Sequence, residues 1–457
     1  MLDLGKDPIG TLLLKMSLPS VVAMLVMALY NVVDTFWIGK ISPEAIAALT
    51  INFPIQMLFG AIGVGTGVGA GSFTSRMFGA GNTVRANRTA GQVIFLSAFF
   101  GVIIIVSGTV FSVPVLRFFG ATENILPLSV EYLKMIVFGA PFLFFIMMSD
   151  YLFRSEGNPN AAMFVIITSA LLNAILDPFL IFGWGPFPEM GVRGAGLATA
   201  IAQFATFFLS LYFLFSHRSG YQVRLRDIIP RWSIIVPIYH VGLPSFITNI
   251  AFSAALIIYN HQLAGFGHLA VAALGLGFRI NGVLMMALFG IGHGVMPMIG
   301  FNYGARNYAR IREITRVTTK ISVLIGGVSS LLIELFAHPL LAAFTDDLEL
   351  LAVAVPALRI FVATQILLGP IVAWINIFMG LGKGMVAMML LLARQFLFIV
   401  PLIYLLPLYF GLNGVWLAQP VSNVISFFII LFWMGKELRK LEKANPETRS
   451  AVASEKH

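Results

Sequence analysis

Two carboxylates, Asp34 and Asp177, lie inside stretches that are otherwise apolar enough to be membrane spans. A carboxylate at the centre of a span costs about 2.5–3.5 kcal/mol on insertion scales. Each therefore needs a proton, a bound cation, a basic partner or a position near an interface. We interpret the two residues as a functional pair. The alternative is that each forms a structural ion pair or hydrogen bond at a helix end.

Polar side chains recur on the same helix faces as these aspartates. Tyr30 and Asn31 lie four and three residues before Asp34, and Asn173 lies four residues before Asp177. Both spacings place the polar group next to the carboxylate on one face of a helix. The pattern indicates that each aspartate has polar side chains next to it on its own helix.

The segment around the second aspartate supplies further oxygen atoms. Pro178 follows directly and removes one backbone N–H, which loosens the helix. Ala195 and Thr199 lie four residues apart in the next span. Carboxylates, an amide, a hydroxyl and freed carbonyls form an all-oxygen set that suits Na⁺ and equally a shared proton. Competition between such an ion and a cationic substrate is the physical basis of antiport.

The composition indicates a polytopic membrane protein. Of the 457 residues, 58% are hydrophobic and only 11% are charged, against about 25% charged residues in soluble proteins. The excess of basic residues lies in short loops between spans, so we do not expect a nucleic-acid partner. The absence of cysteine excludes disulfides and thiolate metal sites. The sequence contains no catalytic triad spacing, ATPase signature or metal-ligand cluster, which argues against an enzyme.

Twelve apolar stretches are long enough to cross a bilayer, which takes about 20 residues each. Their approximate limits are 12–39, 50–76, 90–112, 127–153, 161–184, 191–216, 235–264, 272–302, 317–345, 352–380, 386–409 and 413–435. The even-numbered loops carry the basic residues, so the positive-inside rule places both termini in the cytoplasm. The spans predict a multi-pass membrane protein, and we take the membrane to be the inner (plasma) membrane of a prokaryote.

An internal repeat with an offset of 225 residues relates the two halves. Leu18–Ser20 aligns with Leu243–Ser245, and Gly65 aligns with Gly290. Each half has six spans, so the halves share one orientation and are related by a pseudo-twofold axis along the membrane normal, as in alternating-access carriers. We predict an all-α membrane protein with twelve transmembrane helices in two such lobes. The predicted divisions are an N-terminal lobe (1–216), a basic cytoplasmic linker (217–234), a C-terminal lobe (235–436) and a cytoplasmic tail (437–457).

Four motifs together resemble the multidrug and toxic compound extrusion (MATE) family. They are "YNVVDTFWIGK", the glycine run from Gly63 with "FGAGN" after it, "NAILDPFLIFG" and "GVRGAGLATA". The likeness covers nearly the whole chain. It implies an antiporter that exports cationic or amphipathic compounds in exchange for Na⁺ or H⁺. The seventh and tenth predicted helices lack the carboxylates that one branch of the family uses, which favours the DinF-like branch.

The resemblance also implies a cation site in the N-terminal lobe. The predicted cation-coupling residues are Asp34, Asn173, Asp177, Ala195 (through its carbonyl) and Thr199. The predicted substrate-binding or supporting residues are Tyr30, Asn31 and Tyr132. If sodium is the coupling ion, the predicted ligands are Asp34, Asn173, Asp177 and Thr199.

We expect a monomeric secondary active transporter, not an enzyme, with H⁺ or Na⁺ as the coupling ion and no covalently bound cofactor. Its expected partners are small cationic or amphipathic substrates and the lipid bilayer. The main alternative is a flippase or exporter of lipid-linked or other amphipathic metabolites. A major-facilitator carrier, a channel and a membrane-embedded enzyme stay open as further alternatives. Two other acidic residues are predicted to be structural: Asp150 paired with Arg154, and Glu334 paired with His338.

Overall fold

The computed structural model of the protein describes residues 1–444, and it contains no strand among them. Within those residues, eleven helical stretches are long and apolar enough to cross a membrane, and one of them, Gly384–Phe410, consists of several consecutive short helices. A bent helix pair makes the number twelve when it is counted as one span. The prediction of an all-helical, multi-pass membrane protein is therefore confirmed.

The helices follow one another with short connections. They are α1 (Ile9–Gly39), α2 (Pro43–Gly79), α3 (Thr83–Val110), α4 (Ser112–Phe118), α5 (Leu126–Ser155), α6 (Pro159–Phe182), α7 (Gly191–Phe215), α8 (Leu225–Ile228), α9 (Trp232–Ala264), α10 (His268–Gly304), α11 (Tyr308–Ala342), α12 (Leu348–Val362), α13 (Gln365–Gly380), α14 (Gly384–Leu392), a π-helix (Ala393–Ile399), α15 (Val400–Leu405), α16 (Pro407–Phe410) and α17 (Leu412–Ala444). The remainder of the predicted tail, 445–457, lies outside the described residues.

The tenth predicted span is not one continuous helix. It is divided into α12 and α13, which meet at an angle of 52°. The last carbonyls of a helix lack an intrahelical partner, and Ser330 Oγ donates to the Val362 carbonyl at 2.7 Å. The Asn423 amide donates to Thr364 Oγ1 at 3.0 Å in the connection between the two helices. The Ser330 hydroxyl thus satisfies one backbone carbonyl at the break, and the Asn423 amide contacts the Thr364 side chain in the connection.

Equivalent contacts recur at the repeat offset. The side chain of Asn82 accepts a hydrogen bond from the Arg85 backbone N–H (3.0 Å) at the start of α3. Asn307 does the same for Arg310 (3.2 Å) at the start of α11. Both residues of each pair are offset by 225 positions, and the two asparagines are N-caps that satisfy exposed helix donors.

Two glycines of the repeat permit equivalent close helix contacts. A Cβ atom on Gly69 of α2 would lie 3.0 Å from the backbone nitrogen of Gly242 in α9. A Cβ atom on Gly294 of α10 would lie 3.1 Å from the backbone nitrogen of Ser17 in α1. Gly294 lies 225 positions after Gly69, and Ser17 lies 225 positions before Gly242. The two halves therefore repeat a helix contact as well as a sequence motif.

The chain forms two compact units. The first unit contains Met1, Val22–Phe78 and Asn82–Phe246, and the second contains Leu2–Val21, Gly79–Gly81 and the described residues from Ile247 onward. The first half of α1 thus belongs to the second unit, and the first half of α9 to the first unit. The lobe, linker and tail boundaries stay a prediction.

Asp150 and Glu334, the two acidic residues predicted to be structural, each form an ion pair, but only Asp150 has the predicted partner. Arg154 contacts Asp150 at 2.6 Å in a buried ion pair, as predicted. Glu334 contacts Arg359 of α12 at 3.6 Å instead of His338, so the predicted partner was wrong. Phe336 has non-helical backbone angles (φ −109°, ψ 18°) between Glu334 and His338. This kink removes the regular spacing on which the prediction depended.

Candidate coupling site

The two intramembrane aspartates lie on α1 and α6 of the first unit, and both are buried. Asp34 Oδ1 and Asp177 Oδ1 each lack a hydrogen-bond partner. Among residues 1–444, no basic side chain forms an ion pair with either carboxylate. The charge of Asp34 nevertheless acts on Asp177, so the two groups share one electrostatic environment. The structure therefore does not support the alternative that each aspartate has a basic partner.

Asn173 and Thr199 complete the polar group around Asp177. With its nitrogen directed at Asp177, the Asn173 amide donates to Asp177 Oδ2 at 3.1 Å, and its oxygen lies 3.0 Å from Thr199 Oγ1. Thr199 Oγ1 lies 3.1 Å from the Ala195 carbonyl. Four of the five predicted cation-coupling residues are thus joined in one chain of contacts between α6 and α7.

Two tyrosines connect this group to α1 and α5. The side chain of Tyr30 hydrogen-bonds Thr199, and the charges of both aspartates act on it. Tyr132 is buried and hydrogen-bonds Gln56 of α2. The charges of Asp34 and Asp177 act on Tyr132 as well. The predicted supporting tyrosines therefore lie in the environment of the carboxylates.

Asn31 and Gln56 differ from the expectation. Asn31 is exposed, and it makes none of the contacts just described. Gln56 was not among the predicted residues, although it hydrogen-bonds Tyr132. The sequence feature that could have identified Gln56 is a polar amide side chain two residues after Pro54, inside an otherwise apolar span. A polar side chain at membrane depth usually needs a polar partner within the protein, and here that partner is Tyr132.

Local sequence sets the position of α6, which carries Asn173 and Asp177. Pro159 occupies the first turn, where its missing N–H costs no helical hydrogen bond. The Asn158 side chain accepts from the Ala161 backbone N–H at 3.3 Å. At the other end, Gly183 adopts a left-handed conformation (φ 71°) that stops the helix. These two ends fix the length of α6, and the spacing of four residues places Asn173 beside Asp177.

The arrangement is suited to a small cation or a proton. Its polar atoms are carboxylate, amide, hydroxyl and carbonyl oxygens, which are the ligands of hard cations. Two carboxylates that share an apolar setting without a basic partner gain most from a proton or a bound cation. The unpartnered Oδ1 atoms of Asp34 and Asp177 fit this role.

Comparison with known proteins identifies the family. The MatE family model matches residues 19–179 and 244–405, two segments that begin 225 residues apart and cover well over half of the chain. The chain belongs to the MATE family. The two matches also agree with the internal repeat, because each corresponds to one half of the sequence.

Two curated relatives cover almost the whole MATE chain. The FAD transporter of Shewanella oneidensis is 28% identical over 424 residues, which is 92% of each protein. The multidrug export protein MepA of Staphylococcus aureus is 26% identical over 430 residues, 93% of this chain and 94% of MepA. Both relatives are transporters, and the chain belongs to a transporter family and not to an enzyme family.

Solved MATE structures share the fold. An outward-facing multidrug resistance MATE transporter of the MOP superfamily matches with a TM-score of 0.89 and 28% identity, over 96% of this chain and 98% of that one. A MOP superfamily transporter from Pyrococcus furiosus matches with a TM-score of 0.88 and 27% identity, over 96% and 97%. The predicted MATE fold class is confirmed.

Proposed function

We propose that this MATE protein is a secondary active exporter that moves cationic or amphipathic drugs out of the cell in exchange for H⁺ or Na⁺. The single observation that carries the coupling step is the pair of buried carboxylates Asp34 and Asp177, each with an Oδ1 atom that lacks a hydrogen-bond partner. Among residues 1–444 no basic side chain forms an ion pair with either carboxylate, so the pair gains most from a proton or a bound cation. The relation to multidrug exporters supports the drug substrate.

The coupling mechanism follows from the contacts of the site. An ion that enters from outside binds the two carboxylates and the oxygens of Asn173 and Thr199. Because these groups belong to α1, α6 and α7, binding changes how the three helices pack and weakens the hold on substrate. Substrate leaves, the protein turns inward, and the ion is released to the cytoplasm. Coupling through carboxylates of the first unit is the feature expected of the DinF-like branch.

The proposal includes the setting in which the transporter acts. We infer a monomer in the inner (plasma) membrane with both termini in the cytoplasm, since the basic loops alternate with nearly neutral ones. The coupling ion is H⁺ or Na⁺, with Asp34, Asn173, Asp177 and Thr199 as its ligands in the sodium case.

The test uses purified protein in liposomes loaded with a fluorescent cationic drug. A Na⁺ gradient and a pH gradient are imposed separately on wild type and on Asp34→Asn. We expect one gradient to drive drug movement in wild type and neither to do so in the variant. Glu334→Gln is the matched control, because it removes a half-exposed carboxylate of the second unit that pairs with Arg359.

The outcomes separate the two parts of the proposal. Gradient-driven efflux that survives in Asp34→Asn contradicts the coupling site. If neither gradient moves the drug with the wild-type protein, drug antiport is wrong. Export of an amphipathic metabolite is then the second candidate, which the relation to the FAD transporter favours. The same liposomes loaded with FAD test that candidate directly.

A further inference from the structure

The predicted linker presents its basic side chains outward and its acidic side chain inward. Arg218, Arg224 and Arg226 are exposed, and among the described residues none of them forms an ion pair. Asp227 is buried, and its Oδ2 accepts from the Arg224 backbone N–H at 3.0 Å. Glu156, which follows α5, is buried as well, and its Oε2 accepts two hydrogen bonds from the linker. The exposed surface of the linker is therefore basic.

A groove in this surface has room for a small anionic group. Its volume is about 280 Å³, whereas one water molecule takes about 30 Å³ in the liquid. None of the described residues that line it is acidic. Its polar lining includes Ser216, His217, Ser219, Gln222 and Arg224. The composition of the lining fits an anion better than a cation.

The groove lies where the linker meets a membrane span. Phe215 lines it and is the last residue of α7, which is long and apolar enough to cross a membrane. At the other end of the linker, Trp232 begins the span α9 and is 77% exposed. Leu225 and Ile229, between the two spans, are 86% and 60% exposed. Because it connects two span ends, the linker lies near the lipid headgroups, where tryptophan is enriched and basic clusters bind anionic lipids.

The linker is held on the first unit by side chains of α3. The buried Gln92 amide donates to the Asp227 carbonyl at 2.8 Å and accepts from the Arg231 backbone N–H at 2.9 Å. The backbone N–H of Gln222 donates to Asn87 Oδ1 at 2.9 Å. These contacts fix both ends of the segment 222–231. A ligand that binds there does not have to order a loop first, which lowers the entropic cost of binding.

We propose that the groove binds the phosphate of an anionic phospholipid of the bilayer, with the Arg224 guanidinium and the His217 imidazole as donors. Contacts between a guanidinium and a phosphate are charge-assisted and can be bidentate. The acyl chains of the lipid lie along Phe215 at the end of α7. A soluble phosphate compound offers the same anionic group, but the exposed apolar residues of the linker favour the lipid. The inference goes beyond the proposed function and uses it only to place the groove in the cytoplasmic leaflet.

The test counts lipid molecules bound to the full-length protein in neutral detergent by native mass spectrometry. The probes are phosphatidylglycerol and phosphatidylcholine with the same acyl chains. We expect wild type to bind phosphatidylglycerol about tenfold more tightly. Arg224→Gln should lose most of this preference by weakening phosphatidylglycerol binding alone. Arg226→Gln is the matched control and should keep the preference, because Arg226 is exposed two residues away but does not line the groove.

Each outcome bears on the proposal. Equal affinity of wild type for the two lipids overturns it, whether or not the variants fold. An equal loss in Arg224→Gln and Arg226→Gln assigns the effect to general surface charge and overturns the groove as the site. If sn-glycerol 3-phosphate displaces phosphatidylglycerol from wild type at similar concentrations, the occupant is a soluble phosphate compound and the lipid assignment is wrong. Because the test uses no ion gradient and no drug, failure here is distinct from failure of antiport.

Discussion

The side chains of Asn173 and Thr199 are joined across α6 and α7 by a hydrogen bond of 3.0 Å, directly beside Asp177. The Thr199 hydroxyl also contacts the Ala195 carbonyl at 3.1 Å. Thr199 is therefore the point where the helix that carries Asp177 meets the helix after it. Its hydroxyl is a candidate ligand of the coupling ion and a link between two helices that ion binding would rearrange.

We expect Thr199→Val to weaken ion coupling without unfolding the protein. Valine keeps the shape of threonine but removes the hydroxyl, so the apparent affinity for the coupling ion should fall several-fold. Loss of one neutral ligand costs about 0.5–1.5 kcal/mol. Drug efflux from liposomes, measured as a function of the driving ion, gives this affinity.

Thr206→Val provides the matched control on the same helix. Thr206 is buried and donates to the Ala202 carbonyl at 2.7 Å, so it has the same local chemistry two turns away. The control should keep the wild-type ion dependence. If both variants lose affinity equally, the effect belongs to α7 as a whole and not to the site.

The sequence predicts the helices of this protein better than their interruptions. Runs of apolar residues reveal spans because bilayer thickness dictates their length, and α1, α6 and α7 agree with the predicted limits within three residues. The break between α12 and α13 left no such signal. Ser330 bonds the Val362 carbonyl at the break and Asn423 bonds the Thr364 side chain, and both residues are distant in sequence from it. Partners of this kind become visible only when the helices are packed.

In the candidate site, too, the sequence predicts contacts within one helix better than contacts between helices. The spacing of four residues between Asn173 and Asp177 already places both on one helix face, and the structure brings Thr199 to them. Gln56 and the partner of Glu334 could not be predicted in this way. Gln56 of α2 hydrogen-bonds Tyr132 of α5. Glu334 pairs with Arg359 of α12, and the kink at Phe336 separates it from the regular spacing to His338. Periodicity describes a regular helix, and both cases depend on tertiary packing or on a departure from regularity.

We expect Gly69→Ala to destabilise the first unit. A Cβ atom at this position would lie 2.1 Å from the backbone carbonyl oxygen of Ile238 in α9, which cannot move like the end of a side chain. The two helices would have to separate. Overpacking of this kind costs about 1–3 kcal/mol, and the midpoint of thermal unfolding in detergent should fall by several degrees.

Gly60→Ala, on the same helix, distinguishes crowding from a change in helix propensity. A Cβ atom at Gly60 would meet nothing within 4 Å. Its unfolding midpoint should stay the same or rise slightly, because alanine favours a helix interior by about 0.5–1 kcal/mol over glycine. A similar loss of stability in both variants would contradict the close contact between α2 and α9.

A buried carboxylate outside the spans holds the predicted linker against the first unit. Glu156 Oε2 accepts hydrogen bonds from the Ser219 hydroxyl (3.0 Å) and the Gly220 backbone N–H (2.8 Å). The Tyr221 hydroxyl donates to the Leu152 carbonyl at 2.9 Å. Burial raises the pKa of Glu156 from 4.5 to about 7, although hydrogen bonds from Gly220, Ser219 and Asn158 and the terminal amino group of Met1 act in the opposite direction.

The raised pKa predicts a linker contact that weakens between pH 4.5 and 7. The folded state binds the Glu156 proton more tightly than the unfolded state, so its stabilising effect is complete below pH 4.5. It is lost as the pH rises to about 7, by up to about 3 kcal/mol. The backbone amides of residues 219–222 should therefore become less protected from hydrogen exchange, corrected for intrinsic rates, across this range.

Glu156→Gln should abolish the pH dependence and increase protection at pH 8, because its amide oxygen can still accept from Gly220. Glu123→Gln, which removes an exposed carboxylate paired with Arg117, should behave as wild type. Wild-type protection that rises with pH would show that the charged form of Glu156, and not the protonated form, holds the linker.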